Sequence, residues 1–311
     1  MLSIIIPALN EEENIEKIAA ALTALMTARE IPCELIFVDD GSTDTTWQKI
    51  SQAANAQITP AVTIKGVKFS RNFGKESAIF AGLHKAAGDA AVILDCDLQH
   101  PPALIPEMYA KWQQGFEVVE GVKRGKGHAG PLYKLFAALF YKAMKASAMD
   151  LDHASDFKLL DRKVIDALLE MPERLTFFRA LSSWVGFKRA KLEFEPLPRE
   201  NGKTKWSFKK LSAFALSSIT SFTNFPMQMM TFSGVIFFIF ACILGVNTLV
   251  QYFKGEAVEG FSTVILLILI TGSFLMLGMG IIGYYLSKIY EEIKCRPRFI
   301  VAEEIGNAID N

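Results

Sequence analysis

The chain has 311 residues, 51% of them hydrophobic, and a mean hydropathy of +0.25, which allows one large soluble domain with a membrane appendage. Lys and Arg number 33, as do Asp and Glu, so no basic excess points to a nucleic acid partner. Cys33, Cys96, Cys242 and Cys295 are scattered, which excludes a disulfide framework and reads as four reduced thiols.

Met1 to Pro7 is apolar but short, lacks a basic flank and runs into Glu11 to Glu13, so it reads as a first strand rather than a signal peptide. From there strand and helix signals alternate. Leu2–Ile6, Glu34–Val38, Val62–Phe69, Ala90–Leu94 and Glu117–Val122 are predicted strands. Glu12–Thr27, Thr43–Asn55, Lys75–Ala87 and Ala103–Gln114 are predicted helices. Continuously apolar strands alternating with helices predict an α/β domain with a Rossmann-like, mostly parallel sheet covered on both faces.

In such sheets ligands bind beyond the carboxyl ends of the strands. The residues there are polar: Pro7, Asn10 and Glu11 after the first strand, and Asp39, Asp40, Gly41, Ser42 and Asp44 after the second. Ser70, Arg71, Asn72 and Lys75 follow the third, and Asp95, Asp97, Gln99 and His100 the fourth. Three acidic ends and one basic end on one rim predict a site. Its strongest element is ILDCDLQHPP, where Asp95 and Asp97 flank one residue as an apolar strand ends. Two carboxylates so placed are hard oxygen ligands for Mg²⁺ or Mn²⁺, which bridges to a diphosphate and neutralises charge on a leaving group.

Gly125, Gly127 and Gly130 spell G-x-G-x-x-G, but after the fifth strand rather than the first and with Pro131 opening the next helix, so they read as a loop. Residues 131–149, with Lys134, Lys142 and Lys145 among aromatics and Leu, read as an interfacial amphipathic helix, as do residues 207–225. Residues 226–252 and 261–287 lack Asp, Glu, Lys and Arg and are long enough to span a bilayer. Cations cluster before the first span (Arg199, Lys203, Lys205, Lys209, Lys210) and after the second (Lys288, Lys294, Arg296, Arg298). This bias predicts a transmembrane hairpin with both flanks cytoplasmic, residues 253–260 on the far side and residues 288–311 as a cytoplasmic tail. Gly272, Gly278, Gly280 and Gly283 would let helices approach closely and make a homo-oligomer conceivable.

Taken together, IIPALNEEENI, FVDDGSTDTT, SRNFGKESAIFAGL, ILDCDLQHPP, SDFKLLDRKV and RENGKTKWS resemble inverting family 2 glycosyltransferases with the A-type nucleotide-sugar fold. The resembling subgroup holds dolichyl-phosphate mannose synthases and bacterial polyprenyl-phosphate glycosyltransferases, whose bacterial members carry two C-terminal transmembrane helices. The likeness runs over nearly the whole chain. It implies that residues 1–206 form a glycosyltransferase domain at the cytoplasmic face of the inner membrane. Pro7, Leu9, Glu11 and Asp40 would hold base and ribose, with Asp39, Arg71 and Lys75 also on the donor side. Asp95, Asp97 and Gln99 would hold metal and diphosphate. Asp156 would stand near sugar and acceptor, and Arg199 and Lys205 would hold phosphates. His100 stands where many relatives carry an acid, which leaves the surroundings of the metal pair open.

The reaction so implied moves one sugar, by preference glucose from UDP-glucose, onto undecaprenyl or another polyprenyl phosphate with inversion. The acceptor phosphate has a second pKa of about 6 and is already largely dianionic at neutral pH. Asp156 is therefore expected to orient sugar or acceptor at least as much as to take a proton. Two rival readings fit less well. A processive polysaccharide synthase would carry a Q-x-x-R-W motif and more spans, and a catalytically dead scaffold would have lost Asp95 and Asp97.

Overall fold

The computed structural model describes residues 1–56, 61–97, 99–123, 155–173, 177–195, 225–254 and 260–306. The chain divides into two compact units: Met1–Trp206 with Arg296–Asn311, and Ser207–Cys295.

The first unit is built on an eight-stranded sheet. In chain order its strands are β1 (Leu2–Ala8), β2 (Cys33–Asp39), β3 (Val62–Phe69), β4 (Ala90–Ile93), β5 (Val118–Lys123), β6 (Lys158–Asp161), β7 (Arg189–Phe194) and β8 (Val301–Ile305). The helices are α1 (Ile15–Ala28), α2 (Thr46–Asn55), α3 (Lys75–Lys85), α4 (Ile105–Gln113), α5 (Arg162–Glu170) and α6 (Phe178–Trp184). Strand order across the sheet is β7-β5-β6-β4-β1-β2-β3-β8. β1, β2, β3 and β4 are mutually parallel, β6 lies antiparallel between β4 and β5, and β8 is antiparallel to β3. The expected mostly parallel α/β fold is thus the one the chain adopts.

The central strands are hidden on both faces, which is why they read as unbroken apolar runs. Leu2, Ile4, Ile5 and Ile6 of β1 and Leu35, Ile36, Phe37 and Val38 of β2 are fully buried. α1 covers one face with Ile15, Ile18, Ala19, Leu22 and Met26, a helical stripe of period 3–4. On α3, a Cβ at Gly82 would lie 2.2 Å from Ile5 Cγ2, so the missing side chain lets α3 seat directly on β1. Glu34, buried in β2, is satisfied by Lys65, Ser3 Oγ and the Ala87 amide, which hold its carboxyl below the usual range against burial.

The second unit holds α7 (Phe225–Phe253) and α8 (Phe261–Ile293). Within them Met227–Thr248 and Leu267–Ile293 have mean hydropathies of 2.4 and 2.0, yet only 0% and 6% of these stretches is buried. A core helix of a soluble protein would be covered; these are apolar and bare, and 22 residues at about 1.5 Å each match a hydrocarbon core of roughly 30 Å. Of the glycines expected to ease helix approach, Gly278 alone sits against the partner helix, where a Cβ would meet Met230 Cε at 2.2 Å. Gly272, Gly280 and Gly283 face open space.

Two boundaries differ from the sequence reading. α8 continues to Ile293, past the expected end at 287. Residues 288–311 are not simply a tail, because Val301–Ile305 is the eighth strand of the sheet. The interfacial helices expected at 131–149 and 207–225 and the glycine triplet Gly125, Gly127 and Gly130 lie outside the described residues, apart from Phe225, which opens α7.

Candidate active site

The carboxyl ends of β1, β2 and β4 open onto a pocket of about 260 Å³. Pro7, Leu9, Glu11, Asp40, Lys75, Asp95 and Asp97, each singled out from the sequence, line it together with Ala8, Ala78 and Cys96.

The walls are tied together by side-chain-to-backbone bonds between loops distant in sequence. The β1–α1 loop is zipped to the β2–α2 loop. The Glu11 amide donates to Thr46 Oγ1 at 2.9 Å, Asn10 Oδ1 accepts from the Thr43 amide at 2.9 Å, and Glu12 Oε2 accepts from the Thr45 amide at 3.0 Å. Asp40 performs a similar task toward the β3–α3 loop. Its Oδ1 accepts from the Phe73 amide at 2.7 Å and its Oδ2 from the Gly74 amide at 3.0 Å, although burial pushes its carboxyl above the usual range. Asp40 therefore anchors the loop that delivers Lys75 as well as lining the pocket. Gly41 makes this approach possible: its φ is +71°, and a Cβ there would lie 2.4 Å from the Arg71 carbonyl carbon. Arg71 is exposed, with its guanidinium 4.5 Å from the Phe73 ring centroid, and is not part of the lining.

Asp39 is fully buried at the end of β2. Its Oδ1 accepts from the Ser42 amide at 2.9 Å, while its Oδ2 has no hydrogen-bond partner among the described residues. Gln99 acts through its backbone, whose amide donates to Asp97 Oδ1 at 3.1 Å; its side chain does not line the pocket.

Sheet register explains how Asp156 reaches this rim. β6 runs antiparallel to β4 with Lys158 opposite Ile93, so continuing the register by two residues sets Asp156 opposite Asp95. Lys75 bridges them, its Nζ lying 2.5 Å from Asp95 Oδ1 and 2.8 Å from Asp156 Oδ2. Arg179 grips the other side of Asp156 with two bonds, Nε to Oδ1 at 2.6 Å and Nη2 to Oδ2 at 2.9 Å. Asp156 is 5% exposed. Burial alone would raise its pKa, but Lys75 and Arg179 outweigh it and hold the carboxyl far below the usual range. In turn Asp95 and Asp156 raise Lys75, and Asp156 raises Arg179, each against its own desolvation. Glu76 closes the circuit: its Oε2 accepts from the Phe178 amide at 2.8 Å, fixing the start of α6 and hence Arg179. Burial, and then the charge of Asp156, push Glu76 up to about 7.

His100, at the position where the resembling family often has an acid, is buried. Its ring stacks on Phe157 at 5.0 Å and 11°, and its Nδ1 lies 3.8 Å from Asp95 Oδ2. An imidazole here packs as an aromatic while keeping a polar edge toward the acid pair. Glu76 lies within the motif SRNFGKESAIFAGL and Arg179 in none, and neither was assigned a role from the sequence, since their partners lie across the fold. Arg199 and Lys205 are outside the described residues.

The sequence model of the family described as "Glycosyl transferase family 2" matches residues 3–167. Among curated proteins, an uncharacterised glycosyltransferase of Synechocystis sp. is 37% identical over 313 residues, covering 98% of this chain and 96% of its own length. The prophage bactoprenol glucosyl transferase homolog of Escherichia coli is 35% identical over 306 residues, covering 96% and 98%. The bactoprenol glucosyl transferase of Shigella phage SfV is 34% identical over 309 residues, covering 97% and 98%. Among solved structures, glucosyl-3-phosphoglycerate synthase from Mycobacterium tuberculosis, in complex with Mn²⁺ and UDP-glucose, aligns with a TM-score of 0.46 at 21% identity over 72% of this chain and 80% of its own.

Proposed function

The chain belongs to glycosyl transferase family 2, and from that premise we propose that it transfers glucose from UDP-glucose to a polyprenyl phosphate, undecaprenyl phosphate in a bacterium, at the cytoplasmic face of a membrane. The observation that carries this reading is the acidic pair Asp95 and Asp97 facing a ligand-sized pocket in a chain that also holds two bare, apolar helices. The likeness to proteins named for bactoprenol glucosyl transfer covers those helices as well as the sheet, which supports a lipid acceptor.

Pro7, Leu9, Glu11 and Asp40 form the wall for base and ribose. The buried Asp39 Oδ2, left without a partner among the described residues, is an acceptor for an N–H of the nucleobase; a buried acceptor left unmade costs about 1–3 kcal/mol. Asp95 and Asp97 supply hard oxygen donors for Mg²⁺ or Mn²⁺, with Gln99 fixing Asp97 through its amide. Such a cation, when bound, offsets charge on the departing diphosphate. Arg199 and Lys205 are assigned the remaining phosphate contacts.

In the transfer, an acceptor phosphate oxygen forms a bond to the anomeric carbon as the bond from that carbon to the donor's diphosphate oxygen breaks, with inversion. The nucleophile is already deprotonated near neutral pH. Asp156, kept ionised by Lys75 and Arg179, is a poor proton acceptor and a good fixed hydrogen-bond acceptor. It orients the sugar or the incoming phosphate.

Connectivity supports the membrane placement. The sheet takes β1 to β7 from before the helical pair and β8 from after it. One folded sheet cannot straddle a bilayer, which supports the reading that the chain enters and leaves the membrane on the same side. The cation-rich flanks assign the sheet's side to the cytoplasm.

The test is to incubate membranes containing the full chain with labelled UDP- and GDP-sugars, Mg²⁺ or Mn²⁺, and undecaprenyl phosphate. Labelled lipid is expected with UDP-glucose, its formation abolished by chelation. Absence of labelled lipid with every donor would overturn the proposal.

A further inference from the structure

We propose that Arg298 and Phe299, in the segment leaving the second apolar helix, are positioning residues for the transfer: they brace the two separate elements that deliver Lys75 and Arg179 to Asp156. This rests on the function proposed above for that site.

The two contacts diverge. Phe299 stacks on Phe69 with centroids 5.1 Å apart and planes 13° from parallel, and Phe69 meets Phe73 edge-on at 5.7 Å. Beside them the Ser70 amide donates to the Ile300 carbonyl at 3.0 Å. The β3–α3 loop is thereby held from one side by this segment and from the other by Asp40, and the residue after the loop is Lys75. Arg298 turns the opposite way. Its Nη2 donates to the Met171 and Glu173 carbonyls, both at 2.5 Å, on the connection from α5 to α6. The element beyond that connection carries Phe178, bonded to Glu76, and then Arg179. Between the two contacts the Arg298 guanidinium lies over the ring of Phe80 on α3, 4.6 Å from its centroid, so the brace also bears on the helix that Lys75 begins.

Neither residue lines the pocket. Their effect passes through the elements they hold, which carry Lys75 and Arg179. A charge-assisted grip such as that on Asp156 is productive only within about 0.5 Å of its working geometry, and displacements of about 1 Å from remote substitutions cost rates on the order of 100-fold. β8 has ties of its own to the sheet: it pairs with β3 from Val301 to Ile305, and Glu303 bonds Trp47 and Lys68 while Glu304 bonds Lys85.

The test uses the full chain in membranes. Arg298→Ala and Phe299→Ala are expected to lower kcat about tenfold or more with KM for the donor within about threefold, and Phe299→Tyr, which keeps the stack, to restore most of it. Because Arg298 acts in part through Arg179, adding Arg298→Ala to Arg179→Lys is expected to cost clearly less than Arg298→Ala costs in the unsubstituted chain. A full multiplicative loss in that background, or kcat within twofold of the unsubstituted chain in both alanine variants, would overturn the proposal. Hydrogen exchange provides a readout independent of the acceptor. The Phe73 and Gly74 amides should exchange faster in Phe299→Ala, and the Phe178 amide in Arg298→Ala. Unchanged exchange overturns the brace whatever sugar or acceptor the enzyme uses, whereas faster exchange in a protein that transfers nothing would sink the proposed function alone.

Discussion

Replacing Arg179 with Ala separates two roles for Asp156 that predict opposite results. The substitution deletes two charge-assisted hydrogen bonds, at 2.6 and 2.9 Å, and leaves the Lys75 contact at 2.8 Å in place. Each such bond contributes about 1.5–3 kcal/mol when dry. The Arg179 side chain is 41% exposed, so water recovers much of this, and a loss of about 1–2 kcal/mol of stability is expected. A carboxyl held below its ordinary value of 3.8 contributes stability that is present above that value and lost on acidification. The deficit of the variant should therefore be full at neutral pH and shrink as the pH falls below the usual carboxylate range. With one cation gone the Asp156 pKa moves upward, which makes it a stronger base but a looser one. If Asp156 orients the reactants, kcat for lipid glucosylation falls on the order of 100-fold across pH 6.5–9. The assay is labelled lipid formed from UDP-glucose and undecaprenyl phosphate over that range. A kcat at pH 7–8 equal to or above that of the unsubstituted chain, with the acid limb displaced upward, would refute the orienting role and identify Asp156 as the base.

Asp97→Asn should leave the melting temperature within a few degrees while lipid product drops at least about 100-fold at any Mg²⁺ or Mn²⁺ concentration, so an active variant would remove Asp97 from the metal site. Glu76, raised to about 7 from an ordinary 4.5 by burial and then by Asp156, against the opposing charges of Lys75 and Arg179, binds more protons folded than unfolded between those values. The native protein should thus lose stability as pH rises from about 4.5 to about 7 and level off above; Glu76→Gln should flatten that slope, and parallel melting curves from pH 5 to 8 would count against it. Gly41→Ala forces a left-handed backbone on Ala and sets its Cβ 2.4 Å from Arg71 and 2.7 Å from the Asn72 nitrogen. The conformational term alone is about 1–2 kcal/mol, and transfer should fall further than stability because the displaced loop carries Lys75; unaltered kcat would show that the loop relaxes freely.

The parallel half of the sheet was legible because strands buried on both faces write themselves as apolar runs, and β1 to β5 lie within a residue or two of their expected bounds. The rim was legible for the same reason, since polar residues that interrupt such runs fall at one end of the sheet. β6 and β7 were not, since β7 reads RAKLEF with three charged residues and β6 buries a cation: Lys158 sits 2% exposed against Glu120 at 3.1 Å, a pair no apolar pattern can announce. β8 was hidden by its place beyond two apolar helices and by the short, mostly exposed VAEEI, whose two acids serve Trp47, Lys68 and Lys85. Asp156 was found through a motif, but its partner Arg179 and the supporting Glu76 were not, because the contacts between them arise only when α3 and α6 meet.

The pairing of β3 with β8 also sets an order of events during synthesis. β3 leaves the ribosome early, but the strand that closes its open edge is encoded about 230 residues later, after both apolar helices. At about 5–20 residues per second that is roughly 10–50 s with the edge of the sheet exposed to any strand that fits it. The segment that closes the edge also carries Arg298 and Phe299. A nascent chain stalled before its second apolar helix has been made therefore lacks the last strand of its sheet and the brace on its charge cluster. Completion of the enzyme waits on completion of its two apolar helices.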